Sequence, residues 1–222
     1  MEVWERLLSL CETDTAVVRR PTAGPLVHRM NLHIYTASMV DAVDWAWGDG
    51  DELLARVLAE VDASPEVPPI SDDPDSVPIR YLAAVQAGFA SRLAARQSDM
   101  AEVARFLYSV GKRAGALEID RRYFKRVTDA EGFCVRLVAV ADHLGWGALA
   151  VEGLNTERRP KAFRLAECLE CAVPEPADRP ACAYQTGVIA GTLRGFFGSE
   201  VAAVEDRCIA LGDPACRFVV TY

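Results

Sequence analysis

The chain has 222 residues, of which 51% are hydrophobic and 25% are charged, and this is the composition of a folded globular protein. Its formal net charge at pH 7 is −8. This balance excludes sequence-independent binding of nucleic acid, which depends on clustered Lys and Arg side chains that neutralise phosphates. We therefore expect no direct nucleic-acid partner.

The first ten residues are amphipathic and include Glu2 and Glu5, whereas a signal peptide has a basic start followed by an apolar run. No segment approaches the ~20 uninterrupted apolar residues of a membrane-spanning helix. These features predict a cytoplasmic protein without a membrane span. In that reducing compartment, an odd total of seven cysteines favours metal ligation or buried free thiols over a disulfide framework.

The N-terminal part of the chain predicts helices. Apolar residues recur at helical spacing as far as Gly50, and a second helix is predicted over residues 51–61. Residues 64–78 then contain five prolines, which exclude a helix or a central strand and indicate a linker. We therefore predict a helical region over residues 1–63, the linker, and a main domain over residues 79–222.

The main domain begins with helices and continues with strands. Hydrophobic periodicity predicts helices over residues 79–96, 100–117 and 180–197, and strands over residues 133–139, 148–154, 162–168, 200–208 and 216–222. Gly145 and Gly147 predict a hairpin loop between the first two strands. Gly111 and Gly115, four residues apart on one helix, indicate close approach of another backbone. This order predicts an α+β fold with an antiparallel sheet of about four to five strands and an N-terminal helical extension.

The closing segment contains the residues of a candidate metal site. Between Cys208 and Cys216, the sequence Gly-Asp-Pro at residues 212–214 predicts a tight turn that makes the two thiols face each other. Side chains alternate along a strand, so Glu205 and Cys208 reach one ion only if the strand bends or ends there. Cys182, at the start of the last helix, would complete a tetrahedral zinc set of the closed, structural kind.

Two other interpretations of the cysteines remain open from spacing alone. They are either buried apolar side chains, as is common in cytosolic proteins, or ligands in a different combination. Cys168 and Cys171 form a C-x-x-C pair, a spacing found in zinc knuckles and thiol redox sites. A four-thiol site of Cys168, Cys171, Cys208 and Cys216 is therefore the alternative ligand set.

The chain resembles the 4-vinyl reductase domain family over about residues 99–222. The motifs that carry the resemblance are the run from Leu107 to Gly115, Gly145-Trp146-Gly147, Cys182 followed by Gly187 and Gly191, Glu205-x-x-Cys208, and Gly212-Asp213-Pro214-x-Cys216-Arg217-Phe218. The family includes a bacteriochlorophyll-biosynthesis protein and the sensing domains of phenol-responsive activators. Its fold is similar to that of TRAPP vesicle-tethering subunits.

The resemblance implies a metal and a ligand. In the phenol sensors the same order of Cys, Glu, Cys and Cys binds zinc beside an enclosed pocket for an aromatic molecule, which implies zinc on Cys182, Glu205, Cys208 and Cys216. The implied function is that of a sensor or carrier for a small hydrophobic, aromatic or tetrapyrrole-like ligand. A homodimer is implied by the related sensor domains.

Five residues are predicted to line the ligand pocket, since such pockets are mostly apolar with a few orienting polar groups. They are Trp146, Tyr184, Phe106, Tyr108 and His143. Trp146, between two glycines, is the favoured member. Phe106 and Tyr108 are also consistent with a place in the core, and His143 with an exposed loop.

An alternative function is that of a pigment-biosynthesis enzyme, or an accessory factor, acting on a vinyl-bearing tetrapyrrole. Reduction of a vinyl group needs a hydride or electron source, and the sequence has no G-x-G-x-x-G after a strand. Gly187, Gly191 and Gly195 have helical spacing and predict a packing face. We therefore expect binding rather than catalysis, and predict no catalytic residue. A third hypothesis is an interaction surface on the apolar helix from Met30 to Trp47.

Overall fold

A computed structural model describes residues 26–65, 76–97, 99–119, 123–171 and 179–222. Contacts divide the chain into two units, one comprising the residues up to Ser98 together with His143–Gly145, and the other comprising Asp99–Asp142 and Trp146–Tyr222. The N-terminal ten residues and most of the predicted linker lie outside the described residues.

The first unit is helical. Its elements are β1 (Leu26–His28), α1 (Arg29–Trp47), α2 (Gly50–Ala63), β2 (Ser76–Pro78) and α3 (Ile79–Arg96), and the two short strands pair antiparallel. Tyr35 and Phe89 are fully buried and pack edge to face, with ring centroids 6.0 Å apart. The helices predicted over residues 51–61 and 79–96 are confirmed. By contacts α3 belongs with this unit, and the domain boundary at residue 79 stays a prediction.

The second unit combines helices with a sheet. Its elements are α4 (Met100–Ala114), a π-helical turn (Gly115–Ile119), α5 (Ala130–Leu144), β3 (Ala148–Leu154), β4 (Pro160–Ala166), α6 (Ala183–Phe197), β5 (Ala202–Arg207) and β6 (Cys216–Thr221). The four strands form an antiparallel sheet in the order β3-β4-β6-β5. The α+β class and the antiparallel sheet are confirmed. Within the described residues, every helix is too short or too polar to cross a lipid bilayer.

Helices α4 and α6 pack backbone against backbone. A Cβ atom on Gly111 would lie 2.0 Å from the carbonyl oxygen of Tyr184, and one on Gly187 would lie 2.1 Å from that of Tyr108. Gly115 and Gly191 are equally close to the opposite helix, with Cβ distances of 2.3 and 2.0 Å to carbonyl oxygens. The predicted close approach at Gly111 and Gly115 is therefore confirmed, and so is the packing face at Gly187 and Gly191.

The sheet has one apolar face and one charged face, as antiparallel sheets often do. Phe163 on β4 and Phe218 on β6 are fully buried and lie opposite each other in register. The neighbouring residue Arg217 points to the other side, where its guanidinium bonds Glu152 Oε2 at 2.8 Å and Asp206 Oδ2 at 2.5 Å. The alternation sets which side chains of the last strands face the interior.

The predicted strand over residues 133–139 is wrong, because these residues lie within α5. Its β-branched content favours a strand, but the buried side chains follow helical spacing: Phe133, Leu137, Val140, Ala141 and Leu144. Val135 is 68% exposed, as the helical period requires. The carboxylate of Asp129 accepts a hydrogen bond from the Gly132 N–H at 2.8 Å, which caps the first turn.

The predicted hairpin loop is therefore wrong as well, since residues 145–147 join a helix to a strand. Gly145 has φ +74°, and the Trp146 N–H bonds the carbonyl oxygen of Ala141 at 2.9 Å, so the helix ends in a left-handed turn. Gly147 has φ +130°, and a Cβ there would lie 2.4 Å from the carbonyl oxygen of Ala166. The two glycines thus direct the chain from α5 onto the sheet.

Candidate metal centre

The candidate metal ligands come from four places in the second unit. Cys182 immediately precedes α6, Glu205 lies on β5, Cys208 follows that strand, and Cys216 begins β6. The C-x-x-C pair lies after β4 and brackets a single 3-10 turn, Leu169–Cys171. The ligands are thus contributed by segments that are separate in sequence and converge only in the folded unit.

A bulge in β5 directs Glu205 and Cys208 to the same side. Glu205 pairs with Phe218 and Arg207 pairs with Arg217, so two residues of β5 correspond to one residue of β6 and the register shifts between them. The strand ends at Arg207, and Cys208 follows in extended backbone at φ −142°. The predicted bend or end of the strand between the two ligands is confirmed.

A compact turn brings Cys208 and Cys216 together. It contains the 3-10 turn Ile209–Leu211 and then Gly212, whose φ of +95° favours glycine. The carboxylate of Asp213 accepts a hydrogen bond from the Cys208 N–H at 2.9 Å, and the Asp213 N–H bonds the Cys208 carbonyl at 3.2 Å. The expected reversal of the chain at Gly-Asp-Pro is therefore confirmed.

The N-terminus of α6 is capped by two glutamates from elsewhere in the chain. Cys182 does not cap the helix with its own side chain. Instead Glu205 Oε2 accepts a hydrogen bond from the Cys182 N–H at 3.0 Å, and Glu170 Oε1 accepts one from the Gln185 N–H at 2.9 Å. A helix N-terminus favours negative charge, so carboxylates and thiolates are both stabilised here. The role of Glu170 is not evident from the sequence.

Five thiols form a contact cluster around this helix end. The Cys171 sulfur lies 3.2 Å from that of Cys182, 3.5 Å from Cys208 and 3.4 Å from Cys216. The Cys182 sulfur is also 3.4 Å from Cys168 and 3.5 Å from Cys216. All of these side chains are buried except Cys171, which is half-buried.

Two sets of four ligand atoms, each with all its atoms within 4.8 Å of one another, occur in this cluster. One set is Cys182, Glu205, Cys208 and Cys216, and the other is Cys168, Cys171, Cys182 and Cys216. The structure thus brings together the four residues predicted as ligands. It also places the C-x-x-C pair in the same cluster, but with Cys182 rather than Cys208 among the neighbours of both its thiols.

The protonation of the cluster follows from crowding. Hydrogen bonds from the neighbouring thiols, that from Cys168 first, hold the pKa of Cys171 far below its ordinary value. The same bond raises the pKa of Cys168 well above the usual range, and hydrogen bonds with Cys168 and Cys171 raise that of Cys182. Closely spaced buried thiols cannot all ionise, since like charges repel. A metal ion must therefore displace protons from most of them.

Two features of the cluster fit a thiolate-bound metal. Around a tetrahedral ion with Zn–S bonds of about 2.3 Å, sulfurs lie about 3.8 Å apart, so the observed spacing needs to widen by only a few tenths of an ångström. In addition, Glu205 Oε1 is buried without a hydrogen-bond partner, although burial raises the pKa of this carboxyl. Buried polar atoms without partners are uncommon and call for an unseen ligand or ion. A cluster of cysteines that can hold a metal is therefore present.

The N–H groups around the sulfurs point the same way. The Ala181 N–H donates to the Cys208 sulfur at 3.4 Å, and the Ile209 N–H donates to the Cys216 sulfur at 3.4 Å. Such donors stabilise the charged form of a thiol and compensate part of the negative charge that a cysteine-rich metal site retains.

The five residues predicted to line a ligand pocket occupy several environments. Trp146 and Tyr184 are buried, at 2% and 5% exposure, whereas Phe106 and Tyr108 are half-buried. The Tyr108 hydroxyl accepts a hydrogen bond from the Ala203 N–H at 3.3 Å. His143 belongs to the first unit, and the other four belong to the second. Their role in ligand binding stays a prediction.

Trp146 also has a direct connection to the cysteine cluster. Its carbonyl oxygen accepts a hydrogen bond from the Leu169 N–H at 3.0 Å, and Leu169 begins the turn between Cys168 and Cys171. The position of the C-x-x-C pair is thus fixed partly by the backbone of the residue that we expect beside the ligand.

The second unit has an open cleft of about 520 Å³. Its walls combine aromatic rings with polar side chains, and it is lined by Phe124, Lys125, Val127, Thr128, Asp129, Ala130, Gly195, Phe196 and Phe197. Phe196 stacks on the buried Phe133, with ring centroids 4.4 Å apart. None of the five predicted pocket residues lines this cleft, and sequence periodicity gave no indication of it.

The closing motif and the sheet that carries it match a known family. Residues 162–222 match the model of the vinyl-4-reductase domain. The resemblance to the 4-vinyl reductase domain family is thereby confirmed for this segment, which includes the predicted ligands from Cys182 to Cys216. An uncharacterized protein of Methanocaldococcus jannaschii is 27% identical over 114 residues, which are 51% of this chain. The chain spans 62% of the length of that relative.

Solved structures share the fold of the unit that contains this domain. The phenol-responsive sensory domain of the transcription activator PoxR, solved with phenol, matches with a TM-score of 0.51 and 17% identity over 62% of this chain and 72% of that chain. A trafficking protein particle complex subunit 3 from Naegleria fowleri, covalently bound to palmitic acid, matches with a TM-score of 0.51 and 18% identity over 64% of this chain and 93% of that chain. The expected similarity to the TRAPP fold is confirmed, and the fold is one that a small-molecule sensory domain adopts.

Proposed function

We propose that this chain is a zinc-containing protein that binds a small aromatic or tetrapyrrole-like molecule as a sensor or carrier. The observation that carries the proposal is the convergence of Cys182, Glu205, Cys208 and Cys216, whose ligand atoms all lie within 4.8 Å of one another. Three thiolates and a carboxylate suit zinc, and cysteine ligands favour it over harder ions such as magnesium or calcium.

The zinc is proposed to have a structural role. Four protein ligands complete a tetrahedral shell, and such closed sites leave no position for a substrate, unlike the three-ligand sites of zinc enzymes. Cys182, Cys208 and Cys216 are all fully buried, which suits a site closed to solvent. Binding would fasten the start of α6 to the β5–β6 pair, so the ion would contribute directly to the folding free energy.

The ligand-binding part of the proposal is supported by the fold and by apolar surface. The PoxR sensory domain was solved with phenol, and this unit has the same fold. We propose that the ligand lies beside Trp146, with Tyr184, Phe106, Tyr108 and His143 as the further candidate contacts. The bond between Trp146 and Leu169 would then link the ligand site to the cysteine cluster.

Metal analysis of protein purified without added metal tests the zinc site. We expect at least about one equivalent of zinc per chain, and a loss of more than half of it in Cys208→Ser, because removal of one ligand opens the shell. Cys134→Ser is the matched control, since Cys134 belongs to neither set of ligands. Zinc below half an equivalent in the native chain, or full retention in Cys208→Ser, contradicts the site.

Calorimetric titration with phenol and with protoporphyrin IX, a vinyl-bearing tetrapyrrole, tests the ligand site. We expect one of the two probes to bind, and Trp146→Phe to weaken that binding by about tenfold, which is 1.4 kcal/mol. Phe196→Leu in the open cleft is the comparison variant. A larger loss in Phe196→Leu moves the site to the cleft, and failure of both probes to bind rejects the ligand-binding proposal.

A further inference from the structure

The cysteine cluster has more ligands than one tetrahedral ion uses. The two ligand sets together comprise six residues, and they have Cys182 and Cys216 in common. A single ion on the first set would leave Cys168 and Cys171 unused, even though their sulfurs lie 3.4 and 3.2 Å from that of Cys182. The surplus pair therefore needs an explanation of its own.

We propose that the cluster holds two zinc ions that share the thiolates of Cys182 and Cys216. This inference rests on the proposed zinc site, which supplies the first ion. The second ion lies on Cys168, Cys171, Cys182 and Cys216, so each ion has four ligands and the two shells have one edge in common. Paired zinc ions on six cysteines are known from Zn₂Cys₆ modules, so the arrangement is chemically ordinary.

The shared edge has a suitable length. The sulfurs of Cys182 and Cys216 lie 3.5 Å apart. With Zn–S bonds of about 2.3 Å on both sides of that edge, the two ions would be about 3 Å apart. Two thiolates would lie between them, and these negative charges offset the repulsion of the ions.

The charge of the cluster also favours two ions. Five thiolates and one carboxylate carry six negative charges, and two zinc ions reduce the total to about −2, which is the charge that a single Cys₃Glu zinc site retains. One ion could reach the same charge only if Cys168 and Cys171 both stayed protonated. That conflicts with the lowered pKa of Cys171, whose half-buried thiol ionises before its neighbours.

The competing arrangement is one ion with an exchanged ligand. Cys171 lies within 3.5 Å of Cys182, Cys208 and Cys216, so it could replace Glu205 around a single ion. That arrangement leaves Glu205 Oε1 buried without a partner and Cys168 unused. Two ions give every one of the six residues a metal bond, and for this reason we prefer them.

The number of bound ions decides between these arrangements. The full chain is loaded with zinc, passed over a desalting column and analysed for metal against protein concentration. We expect about two equivalents of zinc per chain, about one in the double variant Cys168→Ser/Cys171→Ser, and about two in the control Cys134→Ser. Circular dichroism checks that each variant is folded.

A second measurement is independent of any variant. The native chain loaded with ¹¹³Cd should give two cadmium resonances of equal intensity, coupled to each other through the shared thiolates. One equivalent of zinc and one cadmium resonance in the native chain would overturn the second ion and leave the first site intact. Two equivalents that persist in the double variant would overturn its location, whereas absence of bound metal would reject the proposed zinc site itself.

Discussion

Replacement of Gly187 by alanine should strongly destabilise the second unit. The added Cβ would lie 2.1 Å from the carbonyl oxygen of Tyr108, whereas ordinary contacts begin near 3.4 Å. The helices must therefore separate by roughly 1 Å, because both surfaces are backbone and no side chain can rotate away. Overpacking of this kind costs about 3 kcal/mol. For a unit of this size, that corresponds to a melting temperature lower by about 10 °C.

The assay is urea and thermal unfolding of the metal-loaded chain, followed by circular dichroism. Gly132→Ala is the matched control, since Gly132 also lies in a helix but its Cβ would have nothing closer than 3.4 Å. Alanine there should leave stability unchanged or raise it by up to about 1 kcal/mol. If Gly187→Ala is no less stable than Gly132→Ala, the backbone contact between α4 and α6 is refuted.

Three further predictions concern the second unit. Removal of metal with a strong chelator should lower its melting temperature, because ion binding is folding free energy, and a chelator without effect on unfolding would contradict the fastening role. Asp99→Ala should cost about 1 kcal/mol in urea unfolding, because Asp99 Oδ1 caps α4 through the Ala101 N–H at 2.9 Å. Phe133→Ala should cost about 3–5 kcal/mol, because this fully buried ring stacks on Phe196; a loss below about 1 kcal/mol would show that the ring is not part of the core.

Features that depend on local spacing were predictable from the sequence. Glycines four residues apart can share one side of a helix, so Gly111 and Gly115 revealed a close helix contact before its partner helix was known. The Gly-Asp-Pro turn and the requirement for a bend after Glu205 likewise follow from strand geometry. For these features the chemistry of a few neighbouring residues is sufficient.

Features that depend on tertiary packing were not predictable in this way. Residues 133–139 have strand propensity, but burial of Phe133 and Leu137 on one side selects a helix, since tertiary context overrides propensity. Glu170 caps a helix that begins thirteen residues later, and no local pattern signals that bond. The place of Cys171 among three other thiols depends on four separate segments and is visible only in the folded chain.

The bulge in β5 has a consequence for association between chains. This strand is the last of the sheet, and an unpaired edge strand is a template on which another chain can add a strand and begin aggregation. The register shift that directs Glu205 towards the cluster also interrupts the regular row of N–H and C=O groups, and Asp206 and Arg207 add exposed charge at the same point. The irregularity that brings the ligands together thus also protects the edge of the sheet.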